Sequence, residues 1–292
     1  MNITIVINPT AGKGLSIFKI DSIENFIIEH GHSVTIVKTE YEGHAKNIVE
    51  EYIDCSDIIV VAGGDGTLRE GVLGMIARKS KVPMGILPTG TGNDFARTLG
   101  IPLDLNEALE VLLKGSKTKV HFGKVNEDIF VNVVSTGFDA SIVNTREKIK
   151  RFVKGPLSYL VSTIITLVKY QAKEYVLMID GKKHVGTYFL VAAANGRYYG
   201  GGMKVAPKAS PKNKQLDICL VKKIGKLKLL YLLPTIYSGK HIETPYVEYF
   251  SCDTLSIEII DGSVLINIDG ELKYVNLFNI SKNSTDEYYF LT

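Results

Sequence analysis

The first 120 residues alternate between short apolar runs and segments with helical spacing, and this alternation constrains the fold more than any other feature. The apolar runs are ITIVIN (3–8), SVTIVKT (33–39), DIIVVAG (57–63) and VPMGILP (82–88). Strand and helix alternating at this spacing is typical of a parallel, doubly wound sheet. Ligands of such sheets bind at the carboxyl ends of the strands. We therefore predict an α/β domain with a ligand site at that edge.

The character of the chain changes near residue 120. Runs such as EYVLMIDGKKHVGTYFLVAAAN and LSIEIIDGSVLINIDGELKY alternate apolar and polar residues around Asp-Gly pairs. This pattern predicts antiparallel strands joined by tight turns, with helical stretches near 146–170 and 226–239. We predict an α/β domain over 1–120 and a β-rich, sandwich-like domain over 121–292. A cleft is expected between them, and the final residues are candidates for a return to the first domain.

Composition narrows the classes of function. The hydrophobic content is 45% and the charged content 22%, as in a folded globular protein. The net charge is only +3, Trp is absent, and no aromatic-basic interleaving is visible, so we expect no nucleic-acid partner. The three cysteines are far apart and fit a reducing compartment rather than a metal site.

Two further features concern location. The N-terminus lacks the pattern of a signal peptide, and the apolar run YLVSTIITLVKY (159–170) is shorter than the roughly 20 residues of a spanning helix. We expect a cytoplasmic protein without a transmembrane segment. Basic clusters at 148–154 and 222–228 are either solvated faces or contacts for an anionic membrane surface.

Glycine-bearing loops follow three of the predicted strands. They are NPTAGKG (8–14), GGDGT (63–67) and PTGTGND (88–94). Each alone is explained by a tight turn, and neither the Walker pattern nor a clean G-x-G-x-x-G is present. Glycines also let backbone N–H groups approach a phosphate closely. Three such loops at one edge favour a polyphosphate site.

Carboxylates accompany these loops. Asp65 and Asp94 lie within the second and third loops, where an aspartate is also a common turn former or N-cap. Two carboxylates beside a phosphate site repel the ligand unless a cation lies between them, which predicts Mg²⁺. Farther along, Asp269 and Glu271 flank a glycine, either as a hairpin turn or as a general base.

Together these residues resemble the diacylglycerol kinase catalytic-domain family, the bacterial soluble lipid kinases related to sphingosine kinases. The resemblance covers nearly the whole chain. GGDGTLRE is similar to the central signature of the family, although GGDGT is shared with NAD kinases and phosphofructokinases. ILPTGTGNDFARTLGIP, KGPLSYL, AANGRYYGGGMKVAP and DGE resemble its further motifs. The GTGNDFAR and YYGGGMKVAP stretches point to a lipid kinase.

The resemblance implies that residues 1–120 bind the nucleotide, that residues 121–292 form the lipid-substrate domain, and that the active site lies in the cleft between them. The implied ATP-binding residues are Asn8, Pro9, Thr10, Ala11, Gly12, Thr39, Gly63, Gly64, Asp65, Gly66, Thr67, Leu68, Arg69 and Thr91. The implied catalytic residues are Asp65, Asp94, Asp269 and Glu271. Either Asp269 or Glu271 accepts the proton of the hydroxyl of diacylglycerol, with Asp269 preferred, and the product is phosphatidic acid. Peripheral contact with the inner face of the membrane and a homodimer are further expectations.

The family also has a structural Mg²⁺, held by a loop that SPKNKQLDI resembles. The matching positions are the Ser210 carbonyl, the Asn213 side chain and the Gln215 carbonyl, with Asp217 behind them. Asn213-Lys214 replaces the usual Asp-Gly of the family, which removes a charged ligand and predicts weaker binding of Mg²⁺. Arg69 replaces the usual asparagine and either reaches a phosphate or points to solvent.

Three alternatives remain open from the sequence. The first is a kinase for another lipid, such as a sphingoid base or phosphatidylglycerol. The second is an enzyme like NAD kinase, which the second signature disfavours. The third is a regulator that binds nucleotide or lipid without catalysis, which the presence of all four carboxylates disfavours.

Overall fold

The computed structural model describes residues 1–14, 19–153, 156–259 and 262–292. Lys154 and Gly155 of the KGPLSYL motif and Asp261 of one Asp-Gly pair lie outside the described residues. The strands are Asn2–Ile7 (β1), Ser33–Lys38 (β2), Ile58–Gly63 (β3), Met84–Pro88 (β4), Lys117–Val125 (β5), Asp128–Phe130 (β6), Val133–Gly137 (β7), Lys173–Ile179 (β8), Lys182–Ala194 (β9), Leu216–Lys222 (β10), Val247–Cys252 (β11), Thr254–Ile259 (β12), Val264–Ile268 (β13), Glu271–Val275 (β14) and Leu277–Leu291 (β15).

The helices follow in chain order. They are Ile20–Glu29 (α1), His44–Tyr52 (α2), Asp65–Ala77 (α3), Asp94–Leu99 (α4), Leu105–Lys114 (α5), Phe138–Ile149 (α6), Pro156–Lys169 (α7), Lys226–Leu232 (α8) and Thr235–Ser238 (α9), with 3₁₀ turns at Ala11–Gly14, Ile53–Cys55 and Lys240–Glu243. None of the helices in the described ranges combines the length and the apolar character needed to cross a bilayer.

The N-terminal part forms the predicted parallel sheet. Its strands lie in the order β2-β1-β3-β4, and every neighbouring pair is parallel. β3 and β4 are buried along their whole length, which explains their unbroken apolar runs. This order is characteristic of doubly wound folds, so the prediction of the α/β class is confirmed.

The C-terminal part is antiparallel, as predicted. β8 pairs with β9 through an Asp180-Gly181 turn, and β13 pairs with β14 through Asp269-Gly270. All four turn residues have positive φ, between 46° and 104°, as the tight turns that suit a twisted hairpin require. The strand order β13-β7-β9-β8-β12 continues to β15.

β15 joins the two sheets into one mixed sheet. It pairs antiparallel with β12 and β5, and its Phe290 lies opposite Met84 of the parallel strand β4. Phe290 packs against Phe95 of α4, with ring centroids 5.5 Å apart. The end of the chain therefore contributes to the core of the N-terminal part.

Two helices differ from the sequence prediction. α5 was not predicted, although Asp104 caps it by accepting hydrogen bonds from the N–H groups of Asn106 (2.9 Å) and Glu107 (3.2 Å). α6 begins at Phe138 rather than near 146, because it follows β7 directly after the left-handed Gly137 (φ 112°). This early start places Asp139 in the first turn of the helix.

Candidate active site

The second and third glycine loops are in direct contact. The carbonyl oxygen of Gly63 accepts hydrogen bonds from the N–H groups of Thr89 and Gly90, both at 3.1 Å. A Cβ on Gly90 would lie 2.3 Å from the Cα of Gly64, which a side chain cannot tolerate. Glycine is therefore required here because two backbones touch, independently of any ligand.

The first loop is attached to the second by a side chain. The Nδ2 of Asn8 donates to the Oγ1 of Thr67 (2.9 Å), and its Oδ1 accepts from the N–H and the hydroxyl of Thr10, both at 2.9 Å. Thr39 follows β2, and its N–H donates to the carbonyl oxygen of Ile7 (2.9 Å). The implied nucleotide residues thus lie at the carboxyl ends of the parallel strands.

The remaining implied nucleotide residues differ in exposure. Gly66 and Thr91 are exposed, and Pro9, Ala11 and Gly12 are partly exposed. Leu68 is buried in the core, so it has only backbone atoms to offer to a ligand.

Asp65 is the first residue of α3. Its Oδ1 accepts the N–H of Phe95 (3.1 Å), which couples it to the third loop. Burial first, and then the negative charge of Asp94, raise the pKa of Asp65 to about 6. A Cβ on Gly92 would lie 2.8 Å from the Oδ2 of Asp65, so glycine is required for the close approach of the third loop to this carboxyl group.

Asp94 connects the two halves of the molecule. Its Oδ2 accepts the N–H of Gly201 (2.8 Å), and its Oδ1 accepts the N–H of Gly202 (2.7 Å). Burial raises the pKa of Asp94, against the effect of these two donors. Because both oxygens already accept backbone hydrogen bonds, Asp94 fixes the YYGGGMKVAP loop to the edge formed by the glycine loops.

Asp269 is held in a similar way. Its Oδ1 accepts the N–H groups of Asn132 (2.9 Å) and Val133 (3.0 Å), and its Oδ2 accepts that of Val131 (2.6 Å). Burial raises the pKa of Asp269. The three backbone donors lower it, and the Arg69 guanidinium lowers it by a smaller amount. A carboxylate with three backbone donors and a side chain only 4% exposed is an anchor for the turn.

Arg69 reaches from α3, beside the glycine loops, to the carboxylates of Asp269 and Glu271. The arginine is 7% exposed. Its Nη1 forms an ion pair with Glu271, its Nε lies 3.8 Å from the Oδ2 of Asp269, and its Nε also donates to the carbonyl of Ile129 (3.3 Å). Of the two alternatives for Arg69, a side chain pointing to solvent is wrong, and contact with a phosphate stays a prediction. The side chain of Glu271 is 52% exposed and is the accessible carboxylate of the pair.

Buried polar residues that the sequence analysis did not select support this turn. Asn195 donates to the carbonyl of Val131 (2.7 Å), within the segment that holds Asp269. Asn267 accepts the N–H of Gly270 (2.8 Å) and donates to the Oδ2 of Asp139 (3.3 Å). The signal available in the sequence was a lone amide within or at the end of an apolar strand, as in VAAAN and INIDG.

The loop that resembles a structural Mg²⁺ site lies apart from these residues. The Nζ of Lys282 donates to the carbonyl oxygens of Ser210 (2.8 Å) and Gln215 (3.2 Å). Asp217 accepts the hydroxyls of Tyr249 (3.0 Å) and Ser251 (3.4 Å) through its Oδ1. An ammonium group thus lies where the resemblance implied a metal, and this donor set does not fit Mg²⁺ as it stands.

The glycine-loop edge gives a different result for Mg²⁺. In the part of the chain that the structure describes, no three His, Cys, Asp or Glu side chains converge on a possible metal position. The Mg²⁺ of a nucleotide needs only one or two carboxylates besides phosphate oxygens. The carboxylate of Asp65, in the first turn of α3 directly after Gly64, can supply one such ligand.

Comparison with known proteins finds two family models and curated relatives that match this chain. The model of the diacylglycerol kinase catalytic domain matches residues 2–125, and that of the YegS C-terminal NAD kinase beta sandwich-like domain matches 132–275. The chain is 29% identical over 269 residues to a diacylglycerol kinase of Staphylococcus aureus (strain JH9), covering 91% of this chain and 85% of the relative.

Solved structures are similar over nearly the whole chain. Two structures from Bacillus anthracis str. Sterne, each assigned as a diacylglycerol kinase, superpose with a TM-score of 0.80. Their sequence identities are 26% and 24%, and the matches cover 99% of this chain and 97% and 96% of theirs.

Proposed function

Because the chain belongs to the diacylglycerol kinase catalytic-domain family, we propose that it transfers the γ-phosphoryl group of ATP to the primary hydroxyl of diacylglycerol. The product is phosphatidic acid, and ADP leaves. The observation that carries the proposal is the Arg69–Glu271 ion pair, which brings an accessible carboxylate from the C-terminal part to the glycine-loop edge. That is where a transferred phosphoryl group and an acceptor hydroxyl have to meet.

The nucleotide is assigned to the glycine-loop edge. Backbone N–H groups and small residues at the carboxyl ends of β1, β3 and β4 suit a polyphosphate. Asp65 would hold Mg²⁺ through its carboxylate, and the bound ion would neutralise charge on the phosphate oxygens. Phosphoryl transfer depends mostly on such positioning and charge neutralisation.

Glu271 is assigned as the general base and Asp269 as the residue that positions the turn. Asp269 already accepts three backbone hydrogen bonds, whereas Glu271 is half exposed. This assignment reverses the preference drawn from the sequence. Glu271 takes the hydroxyl proton while the hydroxyl oxygen bonds to the γ-phosphorus, and the bond from that phosphorus to the β–γ bridging oxygen breaks.

We assign access to the lipid to an exposed apolar surface, called here the docking patch. It consists of Ile164 and Val168 on α7 and of Leu227, Leu230 and Tyr231 on α8. These side chains are between 52% and 85% exposed. The Nζ of Lys226 donates to the carbonyl of Val168, which joins the two helices. The spacings of three and four residues place the apolar side chains of each helix on one face.

Charge complementarity supports a lipid surface as the occupant. A hollow of about 640 Å³ beside α8 is lined by residues 222–228 and Tyr246, including four lysines. Apolar side chains bordered by lysines are typical of peripheral contact with anionic lipids.

The test is a substrate panel in mixed micelles. Diacylglycerol, sphingosine, phosphatidylglycerol and, as a soluble acceptor, NAD are each incubated with labelled ATP and the protein or its Glu271→Gln variant. Glu127→Gln, whose carboxylate forms only a surface pair with Lys124, is the matched control. We expect label in diacylglycerol, lost with Glu271→Gln and retained with Glu127→Gln. Label in another lipid would replace the substrate assignment, and label in NAD would overturn the lipid assignment.

A further inference from the structure

The ammonium group of Lys282 lies inside the loop that resembles a structural metal site. Lys282 belongs to β15 and is 7% exposed. Its Nζ is shared by the carbonyl oxygens of Ser210 and Gln215, two of the positions at which the resemblance implied ligands of Mg²⁺. We propose that Lys282 is a built-in replacement for the structural cation, so that this loop is assembled without a metal.

The hydrogen bonding of the loop leaves little for a metal to use. The carbonyl oxygen of Ser210 accepts both the N–H of Asn213 (3.1 Å) and the Nζ of Lys282 (2.8 Å). A carbonyl oxygen has two lone pairs, and here both are occupied. A Mg²⁺ ion at this carbonyl would have to displace the ammonium group.

The charges nearby suit a single positive charge. Burial raises the pKa of Asp217 and lowers the pKa of Lys282 to about 8, and the attraction between the two charges offsets part of each shift. The usual Asp-Gly of the family is Asn213-Lys214 in this chain, so the loop has lost one carboxylate and has gained the exposed ammonium group of Lys214. One ammonium in place of a divalent ion compensates for that lost carboxylate.

The position of Lys282 also explains what its ammonium group does for the active site. Lys282 lies opposite Gly123 of β5, so it fastens the loop to the β5–β15 pair. The loop continues backward through Ala209, whose carbonyl accepts the Nε of Arg197 (3.3 Å), toward the glycines that hold Asp94. Lys282 is therefore a positioning residue at the far end of the segment that closes the site.

The inference is independent of the lipid substrate, because its test measures metal binding and stability rather than phosphate transfer. The melting temperature is measured without nucleotide in EDTA and in millimolar Mg²⁺. In the unaltered protein, we expect that Mg²⁺ does not change the melting temperature by binding at this loop. Lys282→Met, which keeps the aliphatic stem, should lower Tm by roughly 4 to 10 °C in EDTA, as the loss of two buried hydrogen bonds implies. Lys124→Met on the neighbouring strand, 46% exposed, is the control and should leave Tm unchanged.

A gain of metal binding completes the test. The double variant Asn213→Asp/Lys282→Ala restores a carboxylate and frees both carbonyl oxygens, so its Tm should rise on addition of Mg²⁺. Crystals soaked in Mn²⁺ should show an anomalous peak at the loop in this variant and none in the unaltered protein. A Mn²⁺ peak at this loop in the unaltered protein, or a Mg²⁺-dependent Tm shift that Asn213→Ala abolishes, would overturn the proposal. The soaking experiment decides this even if Lys282→Met fails to fold.

Discussion

The carboxyl group of Asp65 lies where burial and a second carboxylate act on it together. Its pKa of about 6 exceeds the ordinary value of 3.8. The folded protein therefore binds more protons at this group than the unfolded chain does between pH 4 and pH 6, and stability falls as the pH rises through that window. Above pH 6 the full cost of the buried charge is present, unless a cation offsets it.

Replacement of Asp65 should therefore stabilise the protein at neutral pH while abolishing function. Asp65→Asn keeps an oxygen for the N–H of Phe95 and removes the charge. We expect the free energy of unfolding to rise by about 2 to 3 kcal/mol at pH 8 and to change little near pH 4, from roughly 1.4 kcal/mol per pKa unit. Urea unfolding at the two pH values measures the difference. An equal effect at both pH values would show that the charge is not its cause.

The two residues of the acidic turn should respond differently to loss of charge. Glu271→Gln should lower kcat by roughly 10² to 10⁴ with little change in Tm, since it removes a half-exposed proton acceptor. Asp269→Asn places the side-chain NH₂ group against at least one of the three backbone N–H donors. It should lower the free energy of unfolding by about 1 to 3 kcal/mol. Measuring both kcat and Tm for each variant distinguishes the proton acceptor from the residue that positions the turn. A large loss of kcat in Asp269→Asn at unchanged Tm would return the role of base to Asp269.

The sequence identifies the carboxylates of the site but not their contacts. Asp65 and Asp94 are visible because each lies in a glycine loop directly after an apolar run. The partner of Arg69 is 202 residues away, and that of Ser210 is 72 residues away. No local pattern encodes such pairs, since they depend on how β15 and the β13–β14 hairpin fold back on the rest of the chain.

At the scale of elements, the glycine loops act as a contact between backbones. Gly90→Ala forces the third loop away from Gly64, and overpacking of this kind costs about 1 to 3 kcal/mol. We expect weaker ATP binding by calorimetry together with a lower Tm. Gly225→Ala is the control, because a Cβ there meets no atom within 4 Å. If both variants bind ATP like the unaltered protein, the loops are not the nucleotide site.

Elements with local signals are predictable from the sequence, and elements defined by distant pairing are not. The Asp-Gly hairpins at 180–181 and 269–270 form as predicted because the turn residues decide them. The cap signal of α5 was present in Asp104 and was missed. β15 runs over 15 residues and has neighbours in both halves of the chain, which its own apolar pattern does not specify.

At the scale of the whole molecule, one mixed sheet carries both the glycine-loop edge and the Asp269-Gly270 turn. The two parts of the chain are joined near this edge by Asp94 with Gly201 and Gly202, and by Arg69 with Glu271. These contacts come from opposite halves of the sequence. The docking patch lies on α7 and α8 of the C-terminal half, the part to which the lipid is assigned.

The docking patch should contribute to lipid binding but not to folding. Leu227→Ser combined with Tyr231→Ser should weaken binding to anionic vesicles by roughly tenfold or more, because each apolar side chain contributes about 1 to 2 kcal/mol on leaving water. Tm and the rate with a soluble short-chain diacylglycerol should not change. Ile28→Ser on α1, 53% exposed, is the control. Equal vesicle binding in both variants would place the lipid surface elsewhere.

The most direct test of the account is the initial rate of phosphate transfer from labelled ATP to diacylglycerol in mixed micelles. The unaltered protein is measured beside Asp65→Asn and Glu271→Gln, which change one residue in each half of the chain. We expect labelled phosphatidic acid from the unaltered protein and an initial rate that is lower by roughly 100-fold or more in each variant. Bound ATP without transfer to any lipid, or transfer that survives both substitutions, would contradict it.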